Sequence, residues 1–394
     1  MVGLRTQFVH LYVKDNTEES GGKFEDYGIY TQVEQLNKTA LKSHGLDSNG
    51  QLYKINSFEF YRYEDIIKKE DDAGYDKTAF EKMLEIKGDS DHTKLIDMLT
   101  DLNDYSIGIE DVLKEHFDEE NIVYWMAFQI LMGNVDTQNR NVYLYSPLNS
   151  DIWYFIAWDN DGCLMRPEYE LRNFSDQNSW EKGISNYWGN ILFQRCLKSR
   201  SFREKLNDAI LDLREYLNKD MLTSKIESYK NVLKPYLYLM PDAEYEPLTS
   251  EQYDQIAALL PDEIEKNYQL YLESLETPMP FYISVPSIDG DKLKFNWDIS
   301  YDLDAEDITY SVEVARDYLF QDVIYQNTTL TVPESEMELP NAGQYFVRVR
   351  ATNTSGKTQD AFDYYVTDEG KHYGMKCFYI TEDSTVEEDN YEEG

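Results

Sequence analysis

The chain has 394 residues, 41% of them hydrophobic, with 33 Tyr and 17 Phe, and a formal charge of −38. Its length exceeds one ordinary domain, and its apolar content excludes a disordered polypeptide. The charge excludes a general attraction to nucleic acid or anionic membrane and favours basic partners or divalent cations. In chain order, residues 1–56 read as strands around one short helix at 38–44, with Asn37 as N-cap and Gly45 as C-terminal cap. Residues 77–88 and 91–103 carry helical spacing, through Phe80, Met83 and Leu84, then Leu95, Ile96, Met98, Leu99 and Leu102. A further apolar helix pattern (Ile122, Trp125, Met126, Phe128, Gln129, Leu131, Met132) runs into the polar loop 133–141. Val142-Tyr143-Leu144-Tyr145 and Trp153-Tyr154-Phe155-Ile156-Ala157 then read as a hairpin with its midpoint near Ser150, among turn formers. Residues 190–275 are almost wholly helical in period, and Pro278 and Pro280 stop the last helix. Past them the period falls from 3.6 to 2, at Leu293, Phe295 and Trp297 and again along 344–351, which predicts a β-sandwich. The tail 381–394 is acidic, poor in apolar residues and expected to be disordered.

Asp136 and Asn141 have the Asp-x-x-x-x-Asn spacing of a phosphoryl-transfer loop, in which the Asp orients a hydroxyl and the Asn holds a metal. Asn141 lies nine positions before Ser150 and Asp159 nine after it. Antiparallel pairing would set them opposite one another, about 5 Å apart, where two oxygen ligands share one Mg²⁺ or Mn²⁺. Asp136, one short loop earlier, would face the same spot. Each of these residues alone is equally at home in a turn or cap; the order helix, loop, hairpin, acidic cluster is what points to chemistry. Other chemistries lack their signatures: there is no Gly-x-Ser-x-Gly elbow and no Gly-x-x-x-x-Gly-Lys phosphate loop. Asp159-Asn160-Asp161-Gly162 fails the calcium-loop pattern, since Gly162 at position six puts Ala157 at position one. Cys163, Cys196 and Cys377 form no zinc motif or disulfide framework, the histidines are scattered, and no stretch approaches the ~18 apolar residues of a membrane span.

In these residues the chain resembles the CotH kinase family, relatives of spore coat protein H with an atypical protein-kinase-like fold. Gly133-Asn134-x-Asp136 leading to Asn141-Val142-Tyr143-Leu144-Tyr145, and Trp158-Asp159-x-Asp161, carry the resemblance. So do Tyr27-Gly28-Ile29-Tyr30-Thr31-Gln32-Val33-Glu34, Leu52-Tyr53-Lys54 and Trp188-Gly189-Asn190-Ile191-Leu192-Phe193. It covers residues 1–275 and implies an α+β fold with a β-rich small lobe, a helical large lobe and a cleft between them. It also implies ATP-dependent phosphoryl transfer, with Asp136 as the catalytic Asp, Asp159 as a metal-binding Asp and Asn141 as the second metal ligand. Asp161 competes with Asp159 for the metal. Lys54 and Glu34 are the small-lobe candidates for a nucleotide-phosphate Lys and its acidic partner. The family's Arg-Gly-Asn-Ser-Ser-like run and Lys-rich strand have no counterpart here. The expectation is therefore that the small lobe is cut at its N-terminal side, or that the protein is a pseudokinase.

Residues 279–368 resemble a fibronectin type III domain, with Trp297 as its core Trp, Leu339-Pro340-Asn341-Ala342-Gly343-Gln344-Tyr345 approaching its tyrosine corner, and Ser355-Gly356 opening the last strand. Residues 369–394 would form an acidic tail. Such sandwiches are spacers or interaction modules, common in secreted and cell-surface bacterial proteins. The leading expectation is an atypical kinase that uses ATP with Mg²⁺ or Mn²⁺ on Ser or Thr of a coat, secreted or surface protein, basic in character. The alternative is a non-catalytic surface or spore-coat scaffold.

Overall fold

The computed structural model describes residues 2–15, 17, 22–172, 178–368 and 370–388. Helices and sheets are both present, so the fold is α+β, and the chain groups into two compact units. Met1–Arg172 and Asn190–Asn267 make the first; Asn173–Gly189 and Tyr268–Gly394 make the second.

The first unit contains β1 (Thr6–Lys14), β2 (Phe24–Val33), α1 (Lys38–Ser43), β3 (Gln51–Ile55), α2 (Lys77–Met83) and β4 (Leu84–Ile86). There follow α3 (Thr93–Asn103), α4 (Ile109–His116), α5 (Glu119–Met132), β5 (Val142–Ser146), β6 (Tyr154–Ala157) and α6 (Arg166–Leu171). The chain continues with α7 (Ile191–Lys198), α8 (Arg200–Tyr216), α9 (Lys219–Leu237), α10 (Ser250–Leu259) and α11 (Glu263–Glu276), of which the residues from Tyr268 on are assigned to the second unit. An antiparallel sheet of order β4-β3-β5-β6 positions the site. Because side chains alternate across strands, one face buries Leu52, Tyr143, Tyr145 and Ile156 against Leu36, Ala40 and Leu41 of the α1 region. From the other face Phe155 meets Trp125 of α5, ring centroids 5.1 Å apart.

As expected, the Asn37 side chain caps α1, accepting from the Thr39 and Ala40 amides, and Gly45 closes it with φ +74°. The helix expected over 77–88 stops at Met83. Leu84–Ile86 leaves it to pair with β3, and Leu84 is fully buried there, so tertiary burial overrides the helical period. Among the described residues β1 and β2 pair only with each other. This ribbon lies on α9 through Phe8 and Tyr229, 5.7 Å apart, and its Ile29 amide donates at 3.0 Å to Asp242, in the 3-10 turn that follows α9. No helix among the described residues is long and apolar enough to cross a membrane.

The second unit is strand-rich: β7 (Ser287–Asp289), β8 (Lys292–Asn296), β9 (Ile308–Ala315), β10 (Val323–Leu330), β11 (Glu334–Glu338) and β12 (Gly343–Asn353). They are followed by β13 (Thr358–Asp360), β14 (Tyr364–Thr367), β15 (Gly370–Tyr373), β16 (Met375–Ile380) and β17 (Val386–Glu388). One sheet has the order β11-β8-β7, another β10-β9-β12-β16-β17 with β13 beside β12. Leu293 and Phe295 from the first, with Trp297 just past β8, share a core with Val312, Val314, Val347, Val349 and Phe378 from the second. The Tyr345 hydroxyl donates to the Asn341 carbonyl at 2.8 Å. The strand expected to open at Ser355-Gly356 is not the last: β13 is short, and β16 fills the sheet position beyond β12. Met375, Cys377, Phe378 and Ile380 are buried, so the strands run past residue 368, and Val386–Glu388 still pairs with β16. Of the tail expected to be disordered, residues 389–394 lie outside the described residues.

Candidate active site

Helix α5 delivers the loop. Asp118 caps its start by accepting from the Asn121 amide at 2.9 Å, and Gly133 ends it in the left-handed region at φ +62°. A Cβ on Gly133 would lie 2.7 Å from Asn267 Nδ2, so only glycine fits. Asn134 is buried, and its Nδ2 donates to Gln129 Oε1 at 3.1 Å and to Asn160 Oδ1 at 3.4 Å. Gln129 Nε2 donates to the same Asn160 oxygen at 3.2 Å, and the Leu164 amide donates to the Met132 carbonyl at 2.8 Å. These bonds tie the loop after α5 to the segment after β6. Gly162 completes the fit: a Cβ there would come within 2.9 Å of Asn134 Oδ1.

Val135–Thr137 makes one 3-10 turn in which Asp136 takes φ −90°, ψ 27°, the sparsely populated bridge region. Half exposed, the Asp136 carboxylate accepts from Asn141 Nδ2 at Oδ2 (2.8 Å) and faces Arg140 Nε from Oδ1 (3.1 Å). The rest of the loop is pinned from outside. Asn139 Nδ2 donates to Glu59 Oε1 at 2.6 Å, the Phe58 amide to the Asn139 carbonyl at 2.8 Å, and Asn190 Nδ2 to the Gln138 carbonyl at 2.9 Å.

The hairpin forms, but with a midpoint half a residue before Ser150: Val142 pairs with Ala157 and Tyr145 with Tyr154. The expected alignment of Asn141 with Asp159 is therefore corrected by one position, since continuing the ladder would set Asn141 opposite Trp158. Ordinarily such a slip turns a side chain to the other face. Here the ladder ends at Val142 and Ala157, and both Asn141 (φ +59°) and Asp159 (φ +55°) take left-handed conformations that redirect them.

Asp159 sits among charges. Burial pushes its carboxyl above the usual carboxylate range, the Asp161 charge and a hydrogen bond with Asp161 push it further, Lys54 opposes, and Asp136 adds to the rise. The six predicted residues thus divide. Asp136 and Asn141 touch; Asp159, Asp161 and Lys54 share one electrostatic neighbourhood with Asp136. Lys54 also stands 5.8 Å from the ring centroid of Trp158. Glu34 is the correction. Its carboxylate, held below its ordinary range first by its hydrogen bond with His44, bonds His44 Nε2 at 2.8 Å and accepts from the Arg5 amide at 3.1 Å. It does not partner Lys54, because β2 belongs to a separate ribbon and not to the sheet of β3.

Among the described residues no three His, Cys, Asp or Glu side chains form a ready-made metal cluster. A Mg²⁺ or Mn²⁺ would have to draw on a mixed set of oxygen donors. It would rest on Asp159, with Asp161, and on the Asn141 amide oxygen left over from the bond to Asp136, with substrate phosphates completing the shell, the donor set hard cations prefer in phosphate sites. Burial first, and then the Asp161 charge, disfavour the ionised Asp159 carboxylate, and such a cation would offset both. Sequence reasoning missed the amide network of Gln129, Asn134 and Asn160, the clamp of Glu59 and Asn190, and Arg140. A Gln inside an otherwise apolar helix was the one available signal for the first; the clamp, built across long chain separations, left none.

A comparison with curated proteins finds no match. A family model described as CotH kinase protein matches residues 1–271. With that match spanning the helix, the loop, the hairpin and the acidic segment just described, the chain belongs to the CotH kinase protein family.

Proposed function

We propose that the protein is an atypical kinase that transfers the terminal phosphoryl group of ATP to Ser or Thr hydroxyls of a protein substrate. The observation that carries this reading is the meeting of Asp136 with Asn141 at 2.8 Å beside a crowded Asp159. In the step, the hydroxyl oxygen forms a bond to phosphorus, the bond from phosphorus to the bridging oxygen breaks, and ADP leaves with the electron pair. Asp136 orients the hydroxyl and takes its proton. Asn141 holds Asp136 through its amide NH₂, and its oxygen would be offered to the metal. Asp159 would hold that cation, with Asp161 as the competing ligand, and Lys54 would supply positive charge toward the phosphates. A bound Mg²⁺ or Mn²⁺ would neutralise charge developing on the phosphate oxygens.

The acidic surface favours a basic substrate segment, and the family favours a coat, secreted or surface location. Residues 1–275 are read as the kinase-like domain. From residue 279 on, the strand orders β11-β8-β7 and β10-β9-β12-β16, which extend past the expected end at residue 368, support with the hydroxyl bond of Tyr345 a fibronectin type III-like module for contacts.

One observation favours a second reading, a non-catalytic scaffold: Glu34 is committed to His44 and is not the acidic partner that Lys54 would have in a kinase small lobe. Transfer of labelled phosphate from ATP to a Ser-rich basic protein separates the two. The kinase reading expects Mn²⁺-dependent incorporation that Asp136→Asn and Asp159→Asn each abolish. Equal incorporation in either variant removes that residue from its role, and none in the wild type favours the scaffold.

A further inference from the structure

Arg140 stands beside the proposed catalytic carboxylate. Its backbone is fixed on both sides, by Asn139 bonded to Glu59 and by Asn141 in its left-handed conformation, while its own side chain is half exposed. Its Nε approaches Asp136 Oδ1 at 3.1 Å, which leaves four further N–H donors on the guanidinium. Holding Asp136 in place is a task Asn141 already performs from the other oxygen, and a half-exposed pair four residues apart adds little to that hold. Charge balance gives the guanidinium a better purpose. Asp136, Asp159 and Asp161 crowd the site, a triphosphate would bring more negative charge, and Lys54 acts on the Asp159 side. On the Asp136 side the neighbouring cation is Arg140.

Resting on the phosphotransferase reading, we propose that Arg140 is a catalytic residue that leaves Asp136 when nucleotide and acceptor bind and clamps the equatorial oxygens of the phosphoryl group in flight. The reach is adequate. A hydroxyl hydrogen-bonded to Asp136 lies about 2.7 Å from it, and phosphorus about 3–3.5 Å beyond that oxygen in an attack-ready pose. A gap of that order is within the span of a long arginine side chain whose exposed half is free to turn. The same movement frees Asp136 Oδ1 for the incoming hydroxyl. Arg140 neither gains nor loses a proton; its fork matches two phosphoryl oxygens at once, which a lysine cannot do.

The test uses the full chain and calorimetric titration with ADP and Mg²⁺, with and without aluminium fluoride, which mimics the transferring phosphoryl group. In the wild type, aluminium fluoride tightens ADP binding. In Arg140→Ala, ADP affinity is little changed, the tightening is lost, and the transfer rate falls on the order of 10²–10³-fold. Arg140→Lys recovers only a minor part of either, and added guanidinium ion restores part of the rate of Arg140→Ala. Full tightening and an undiminished rate in Arg140→Ala would overturn the assignment while leaving the phosphotransferase reading intact. A loss of ADP affinity as large as the loss of tightening would also overturn it, because Arg140 would then bind ground state and transition state alike. A wild type that binds no ADP would overturn both.

Discussion

The segment from 133 to 164 and the strands between 292 and 380 are built by opposite means. In the strands, Leu293, Phe295, Trp297, Val312, Val314, Val347 and Val349 alternate into one core, and charges pair outside it, as Arg348 does with Glu313. Among the described residues there, non-glycine left-handed backbone occurs only in connections between strands, at Ala305 and Phe320. In the other segment, Asn141, Asp159 and Leu164 take that conformation beside buried amides and crowded carboxylates, and Phe60 and Tyr63 take it next to Glu59, which anchors the loop. Burial organises the strands without strain. The loop segment holds conformations that cost roughly 1–3 kcal/mol each, and its neighbours enforce them, as expected where geometry serves chemistry.

The contrast predicts that function and stability separate between the two regions. Asp136→Asn should lower phosphate transfer by about 10²–10⁴-fold while the melting temperature stays near the wild-type value; a coincident loss of stability would make Asp136 a structural residue. In the strands the reverse holds: Trp297→Ala should cost roughly 3–5 kcal/mol in urea unfolding, through the cavity it leaves. Between these lies Asn190→Ala, which removes the N-cap of α7 and the bond to the Gln138 carbonyl. It should cost about 1–2 kcal/mol in the same measurement and slow transfer as the loop loosens. The smallest effect has the opposite sign. The folded Asp159 carboxyl titrates above its ordinary value, so its ionised form is the strained one. That penalty is absent below the ordinary carboxylate range, grows as pH rises through the ordinary and then the folded value, and is complete above both. Without metal, Asp159→Asn should therefore raise the melting temperature slightly at neutral pH, and the gain should vanish in acid. A destabilised variant at neutral pH would contradict the crowding.

Much of this was legible because burial leaves a period in the sequence. The α5 pattern, the Asn37 cap and Gly45 and the alternating segment around Trp297 emerge as read, and the hairpin forms, with its register shifted and Trp153 outside it. What stayed hidden depends on distant partners. The hairpin register follows a turn that Lys94 clamps, donating to the Pro147 and Ser150 carbonyls, and in which Trp153 leaves the ladder to bridge Phe117. Helix α2 ends early because Leu84 has a place beside β3. Glu34 is drawn away by His44, ten residues on, in a ribbon whose separateness from β3 no local pattern reveals. Strand β16 carries enough apolar residues to be read, but the acidic residues that follow it obscured the signal.

Calorimetric titration of the full chain with ATP, in Mn²⁺ and in chelator, tests the central claim most directly. Binding that requires Mn²⁺ and is lost in Asp159→Asn is the predicted result. Binding that is absent in the wild type, or unaltered by chelator and by the substitution, would contradict the account.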